Sequence, residues 1–427
     1  LPAIIKDNLL LKITSLNSVT VTIKSLLGFV SQRIVAEKLG PAGIVFIGDL
    51  RNIIPMIQSF SSLGMFNGIV KYVAEYKSDK EELLKLFSTS FVYVFFTSII
   101  SFCVLFFGAS YWNDLLFGAT EDFSFIFKVL SFAVPFIAMN RIVNGVINGL
   151  SAYKKFVKIE LISYVLGVLL LLGLLFYENL NGVLFAIAVL PILQFLILFY
   201  FFSKTLKEYL DYKKISFSIP YKNKLFGFTI MSFVSTLLGN FIEVYLRGVL
   251  KNEMSEVDAG HWTAITNLSK QYFMFSSAIF SLYVIPKFSS LNTSVGFRKE
   301  VLNIYKTILP FFGIGLILIF FLKEQVIYIT HGEEFIGMKP LFKWQLLADF
   351  IKIASIIIAH QFLAKKMIKQ FIFTELISLL IFYGLSMCFI RNMGAEGIVI
   401  AHFIRYILYF LMVILVLRKH IFGNNKL

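Results

Sequence analysis

Residues Gly40 to Tyr76 read GPAGIVFIGDLRNIIPMIQSFSSLGMFNGIVKYVAEY. A Gly-Pro-Ala-Gly turn is followed by a mostly apolar stretch of about one bilayer thickness, which predicts a membrane-spanning helix. Asp49 and Arg51 interrupt the apolar run. Because charged side chains are costly inside a bilayer, those that occur there usually face an interior cavity and serve a function. The stretch therefore predicts a membrane protein with a charged interior.

The composition of the whole chain agrees with a membrane protein. Of the 427 residues, 58% are hydrophobic and 15% are charged, whereas a soluble domain has about 45–50% apolar and 25% charged residues. The formal net charge of +15 is explained by basic cytoplasmic loops, which also suit anionic membrane lipid. No basic soluble domain is present to bind nucleic acid. Cys103 and Cys388 lie in apolar segments and are expected to be packing residues, and no cofactor or metal is expected.

Hydrophobic runs long enough to cross a bilayer predict about twelve transmembrane helices. They lie near residues 13–35, 44–66, 84–107, 125–148, 158–177, 182–203, 225–250, 260–286, 301–322, 341–363, 370–390 and 396–417. Lysine and arginine concentrate in every second loop and in the C-terminal tail, which marks those segments as cytoplasmic. Both termini are therefore expected to be cytoplasmic.

An internal repeat divides the chain. Glu160-Leu161-Ile162-Ser163 recurs as Glu375-Leu376-Ile377-Ser378, an offset of 215 residues that also relates Gly182-Val183 to Gly397-Ile398. The longest internal loop, near residues 203–224, lies between the two copies. We therefore predict an all-α, polytopic membrane protein with two six-helix lobes, residues 1–213 and 214–427. Six helices per lobe imply a pseudo-two-fold axis along the membrane normal, which is typical of transporters.

Polar stripes on the first two helices of each predicted lobe indicate a shared cavity. Their cations are Lys24, Arg51, Arg247 and Lys270, and an unpaired cation against lipid is too costly to be left there. We predict that these four residues bind an anionic substrate, and the candidate substrate-binding set also includes Asn17 and Asn67. The serine and threonine residues of the stripes have a structural alternative, because such hydroxyls often join membrane helices.

Acidic residues within the same helices are candidates for coupling to an ion. This set consists of Asp49, Glu243 and Asp349. Glu243 lies four residues before Arg247 and could pair with it. Asp349 and Lys352 are three residues apart and form either a structural pair or a coupling-ion site. Other charged residues, among them Arg141, Glu160 and Glu375, lie on the outer helices, and structural pairs are expected for the two glutamates.

Several blocks of sequence resemble the polysaccharide flippases of the multidrug/oligosaccharidyl-lipid/polysaccharide exporter superfamily, in particular the Wzx-type O-antigen translocases and the flippases of enterobacterial common antigen. They are Gly40-Pro41-Ala42-Gly43, GMFNGIVKYVAEY at residues 64–76, SLYVIP at 281–286, and FKWQLLAD at 342–349 with Lys352. The resemblance implies two six-helix bundles around a cationic cavity, in which Arg51 occupies the position of a common cavity arginine. It also implies an undecaprenyl-pyrophosphate-linked oligosaccharide as substrate, moved across the inner membrane from the cytoplasmic to the periplasmic leaflet.

Other functions remain alternatives to a flippase. The first is a multidrug/cation antiporter of the same superfamily, which would need an acidic cavity, and the second is a membrane glycan polymerase or ligase. The outer loops are short, whereas such an enzyme is expected to expose catalytic residues in a large periplasmic loop. No ATP-binding loop occurs. We expect a monomeric transporter rather than an enzyme, with glycan polymerase and chain-length proteins as candidate partners.

Overall fold

The computed structural model describes residues 9–118, 121–150, 152–209 and 214–423. Nearly all of these residues are helical, and no β-strand occurs among them. Their helices bury apolar side chains against one another and expose many others, such as Phe107, Phe311 and Leu380, on the outside. Exposed apolar faces on long helices are expected where lipid is the solvent.

The helices are numbered here in chain order. They are α1 (9–39), α2 (41–61), α3 (Phe66–Glu75), α4 (Lys80–Phe107), α5 (Ala109–Phe117), α6 (Ser124–Gly149), α7 (153–177), α8 (180–209), α9 (Lys222–Glu253), α10 (256–290), α11 (Ser294–Phe321), α12 (Lys323–Thr330), α13 (Leu341–Ala364), α14 (368–393), α15 (395–416) and α16 (Arg418–Phe422). A short 3₁₀ helix covers Glu333–Met338.

Three sharp breaks separate helices that would otherwise run on as one. Gly40 separates α1 from α2, Asn179 separates α7 from α8, and Gly394 separates α14 from α15, each with a positive φ. The helical stretch Thr22–Ser61 and α3 are bent by 50° at their junction. Divided at these breaks, the described part of the chain contains twelve helices of more than 20 residues. Before that division, seven helices, or eight with the bent pair, are long and apolar enough to cross a membrane. The predicted all-α, polytopic fold class is confirmed.

The described residues form two compact units. One unit, called here the 46–244 unit, contains Phe46–Val244, and the other contains the described residues up to Val45 together with Tyr245–Leu427. We call the second one the split unit because it joins two separate parts of the chain. The predicted lobes 1–213 and 214–427 rest on the sequence repeat, and that division and its symmetry axis stay predictions.

The close approach of α3 and α6 shapes the interior of the 46–244 unit. Gly145 and Gly149 lie one turn apart on α6, and their Cα atoms face Ile69 and Val73 of α3. A Cβ atom at Gly149 would lie 2.7 Å from the Cβ of Val73, so only glycine permits this packing. Small residues at this spacing commonly allow membrane helices to pack closely. Asn144 and Asn148 directly precede these glycines, so the side of α6 that lines a polar cavity is the side next to its contact with α3.

Candidate functional site

A polar cavity of about 250 Å³ lies inside the 46–244 unit. It is formed by α2, the start of α3, α6, α7 and α8. Seven of its twelve lining residues are polar or charged, which is unusual for ligand pockets because they are mostly apolar. The polar residues are Gln58, Asn140, Arg141, Asn144, Asn148, Glu160 and Gln194, and the apolar ones are Ile54, Phe66, Ile137, Phe156 and Pro191.

Asparagine residues on α6 provide one wall of this cavity. Asn140, Asn144 and Asn148 are spaced four residues apart, which places them above one another on one helix face. The side-chain amide of Asn140 donates to the carbonyl oxygen of Pro191 at 2.7 Å, and that of Asn148 donates to the carbonyl oxygen of Asn144 at 2.7 Å. The described residues donate no hydrogen bond to the buried Oδ1 atoms of Asn140 and Asn144. Two side chains of the cavity wall therefore carry a buried acceptor that receives no hydrogen bond from the described residues.

The cavity also contains one charge of each sign. The guanidinium of Arg141 lies 3.9 Å from the ring centroid of Phe66, a cation–π contact that fixes its position. Glu160 of α7 is half-buried and lines the same cavity. The two formal charges cancel, so the cavity as a whole is polar but electrically balanced.

Arg51 of α2 lies on the same helix face as the cavity. Ile54 and Gln58, which line the cavity, are three and seven residues further along α2, a spacing that puts all three on one side of the helix. The Arg51 side chain is exposed, although its neighbours Leu50 and Asn52 are buried. It interacts electrostatically with Tyr164, which lies one turn beyond Glu160 on α7. An accessible guanidinium thus adjoins the polar cavity within a membrane-length helix.

The other predicted residues of the 46–244 unit lie apart from the cavity lining. Asp49 is buried with 4% of its surface exposed, and Asn67 is exposed at the start of α3. Glu243 of α9 accepts a hydrogen bond of 3.1 Å from the side-chain amide of Asn52. The α2 helix therefore directs Arg51 and Asn52 to different polar partners, Tyr164 and Glu243.

Asp349 is the best-defined acidic site of the split unit. This α13 residue is completely buried and accepts hydrogen bonds from Ser269 at 2.7 Å, from Gln345 at 3.1 Å and from the hydroxyl of Tyr272. All three hydrogen bonds reach its Oδ2 atom. Its Oδ1 atom receives none from the described residues, and Lys352 interacts with the carboxylate electrostatically. Whether Asp349 and Lys352 form a structural pair or a coupling-ion site stays a prediction.

The predicted cations of the split unit have different surroundings. Arg247 is buried, donates from Nε to Thr263 at 2.8 Å and lies 5.5 Å from the Trp262 ring, so its guanidinium is held against α10. Lys24 is half-buried on α1, and Lys270 is exposed on α10. The Asn17 side chain lies outside the described residues. That these groups and Arg51 converge on one cavity stays a prediction.

The row of Asn140, Asn144 and Asn148 on α6 was not predicted as part of a site. The sequence predicts that Arg141 and Glu160 lie on outer helices, whereas the structure places both in the cavity lining. The repeated spacing of Asn140, Asn144 and Asn148, next to Gly145 and Gly149, was the signal available in the sequence. Glu375 does form an ion pair, with Arg405 at 3.9 Å.

Long apolar helices that enclose polar and charged side chains are the architecture of a membrane transporter. The inward-facing conformation of a multidrug resistance MATE family transporter of the MOP superfamily matches with a TM-score of 0.70 at 14% identity, covering 93% of this chain and 95% of that one. The inward closed conformation of the lipid II flippase MurJ also matches with a TM-score of 0.70, at 15% identity over 95% of this chain and 88% of that one.

The sequence identifies the family more narrowly. Residues 10–292 match the family of polysaccharide biosynthesis proteins, and the chain belongs to that family. It is similar to the lipid III flippase of Escherichia coli (strain K12), with 24% identity over 383 residues, which are 90% of this chain and 92% of that protein. The resemblance found in the sequence blocks is thereby confirmed.

Proposed function

We propose that this protein is a flippase for an undecaprenyl-pyrophosphate-linked oligosaccharide. It moves the lipid-linked sugar from the cytoplasmic to the periplasmic leaflet of the inner membrane by alternating access, with both termini in the cytoplasm. The observation that carries the proposal is the accessible guanidinium of Arg51 inside a membrane-length helix. The family membership and the similarity to a lipid III flippase support it.

The chemistry of the substrate explains why a cation is needed there. A pyrophosphate cannot enter hydrocarbon without its hydration shell, because burying an unpaired charge costs several kcal/mol or more. Arg51 replaces part of that hydration with charge-assisted hydrogen bonds, and its planar guanidinium can bind two phosphate oxygens at once. The polyprenyl tail needs no such help and stays in the lipid while the headgroup crosses.

The membrane potential and an ion gradient supply the driving force in this proposal. Each negative charge that leaves a cell with a negative interior is favoured by about 2.3 kcal/mol per 100 mV. A proton or sodium ion that binds at Asp349 resets the carrier, for which the free Oδ1 acceptor of this buried carboxylate is suited. Glu243 and Asp49 are secondary candidates for the same role.

A multidrug antiporter is the second candidate, because the fold is equally similar to that of a MATE transporter. A cavity that binds cationic drugs needs an excess of accessible carboxylates. In the described residues of the 46–244 unit, the accessible Arg51 and the balanced charges of Arg141 and Glu160 are the opposite of that requirement. Drug export by the purified chain, without movement of lipid pyrophosphate, would favour this candidate instead.

Reconstitution into liposomes tests the proposal directly. The purified full chain is assayed for movement of an undecaprenyl-pyrophosphate-linked oligosaccharide between leaflets, with the wild type, Arg51→Ala and Arg418→Ala compared. Arg418 is an exposed arginine of α16, outside the spans. We expect Arg51→Ala to abolish most of the movement and Arg418→Ala to leave it unchanged. Equal activity of all three proteins would remove Arg51 from the mechanism, and inactivity of the wild type would contradict the flippase proposal.

A further inference from the structure

The cavity next to Arg51 has the chemistry of a carbohydrate site. We propose that it binds one pyranose ring of the lipid-linked oligosaccharide, and this inference rests on the proposed flippase function. The cavity adjoins the pyrophosphate contact that we assign to Arg51, because Ile54 and Gln58 of its lining lie three and seven residues further along the same face of α2. One helix face would thus hold the phosphate and a sugar together.

Unused hydrogen-bond acceptors are the first argument for a polyhydroxylated ligand. Asn140 is 95% buried, and its Oδ1 atom receives no hydrogen bond from the described residues although its amide nitrogen is used by Pro191. Asn144 carries a second such oxygen one turn along the same face of α6. A buried acceptor that stays unsatisfied costs about 1–3 kcal/mol. Sugar hydroxyl groups are donors that would satisfy both oxygens.

Charge is the second argument, because it distinguishes a neutral sugar from an ion. Arg141 and Glu160 carry opposite formal charges, so the lining itself has no net formal charge. The guanidinium of Arg141 donates hydrogen bonds and the carboxylate of Glu160 accepts them, and both kinds of group suit vicinal hydroxyl groups.

Size and apolar surface are the third argument. Pockets for drug-sized ligands measure about 300–1,000 Å³, so a cavity of about 250 Å³ accommodates a ligand of one ring rather than a whole oligosaccharide. Phe156 lines it as well, and an aromatic ring provides flat apolar surface for the C–H face of a pyranose. Its polar edge would then face the amides of α6.

Asn144→Leu is the most specific variant for a test. The side chain of Asn144 makes no hydrogen bond to the described residues through Oδ1, so leucine removes the acceptor at nearly constant volume without breaking a known contact. Ser131→Ala is the matched control, since Ser131 is a buried polar residue of the same helix that does not line the cavity. Both variants keep the charge of the protein and leave Arg51 in place.

Equilibrium binding to the detergent-purified full chain tests the sugar site. The two probes are undecaprenyl pyrophosphate that carries one pyranose and undecaprenyl pyrophosphate without a sugar. We expect Asn144→Leu to weaken binding of the sugar-bearing probe about tenfold and Ser131→Ala to leave it unchanged. Affinity for the sugar-free probe should change less than twofold in either variant. If Asn144→Leu leaves the affinity for the sugar-bearing probe unchanged, the cavity holds only water and the sugar site is refuted. If it weakens binding of both probes equally, the sugar site is refuted as well. The flippase proposal stands in both cases. If neither probe binds to the wild type, the flippase proposal itself fails, and the sugar site with it.

Discussion

Asn179 and Gly394 lie 215 residues apart and have nearly the same backbone conformation, with φ and ψ of 48° and −127° at Asn179 and 55° and −134° at Gly394. Each residue ends one membrane-length helix and begins the next. The repeated Glu-Leu-Ile-Ser sequences at residues 160 and 375 are separated by the same offset. We infer that the shared break reflects the predicted internal repeat.

The break at Gly394 predicts a stability difference between substitutions. A Cβ atom at this position would meet only the side chain of Met254, at 3.6 Å or more, so backbone strain is the main cost of a larger residue. We expect Gly394→Ala to lower the free energy of unfolding by about 1–3 kcal/mol. Gly394→Asn should cost less, because asparagine already has nearly the same backbone conformation at position 179. The unfolding temperature of the purified chain measures both effects.

Gly384→Ala is the control for this prediction. Gly384 belongs to the same helix, α14, but has an ordinary helical conformation and open space around it. Alanine there should raise stability by up to about 1 kcal/mol, because glycine is a poor helix former. If Gly394→Ala were as stable as Gly384→Ala, the break would not depend on glycine.

Arg51→Lys separates the charge of Arg51 from its geometry. Lysine retains the positive charge but binds phosphate as a point charge, without the two parallel hydrogen bonds of a guanidinium. We expect flipping to fall about tenfold with lysine and about a hundredfold with alanine, consistent with about 1.5–3 kcal/mol for charge-assisted hydrogen bonds. Initial rates in the liposome assay provide the measurement. Full activity of the lysine variant would mean that only the charge matters.

Asp349→Asn tests the proposed ion coupling. Asparagine keeps an oxygen acceptor for Ser269 and Tyr272 but cannot carry the charge that binds a proton or sodium ion. We expect flipping driven by an imposed membrane potential to persist and its stimulation by a proton or sodium gradient to disappear. Asp122→Asn is the control, because Asp122 is an exposed loop carboxylate. Retained gradient stimulation in Asp349→Asn would assign the coupling to another group.

Hydropathy and the repeat were sufficient to predict the fold class, because each helix must satisfy its own backbone hydrogen bonds in lipid. The family could also be predicted, since the blocks around Asn67 and Asp349 are contiguous in sequence. The cavity could not, because asparagine in a membrane helix serves equally well to join helices. The packed helices show that Asn140, Asn144 and Asn148 line a cavity together with residues of four other helices.

Long-range side-chain pairs were also beyond prediction. Gln32 of α1 contacts His331, which follows α12 and lies 299 residues away in sequence. Neither residue belongs to a charged stripe, and no local spacing relates them. Nothing in the sequence around His331 indicates that its ring is buried.

His331 leads to a prediction about pH. It lies outside the membrane-spanning segments and is 99% buried, and its Nδ1 is 2.8 Å from the hydroxyl of Thr330, which itself donates to the carbonyl oxygen of Val326. The imidazole therefore carries its proton on Nδ1, and its Nε2 accepts from the amide of Gln32. Burial, together with the charge of Arg33 and the nearby His261, lowers the pKa of His331 to about 3.

A lowered histidine pKa means that the packed state holds this ring neutral, whereas an exposed ring has a pKa of about 6.5. The contribution of His331 to stability is therefore complete above pH 6.5 and is lost progressively as the pH falls toward 3. At pH 5 the loss amounts to about 2 kcal/mol.

We expect the unfolding temperature of the wild type to fall between pH 7.5 and pH 5 by several degrees more than that of His331→Gln, which cannot be protonated. His420→Gln, which alters a half-buried histidine of α16, should retain most of the wild-type decrease. An identical pH dependence in the wild type and His331→Gln would show that protonation of this ring does not limit the packing of α1 against the segment after α12.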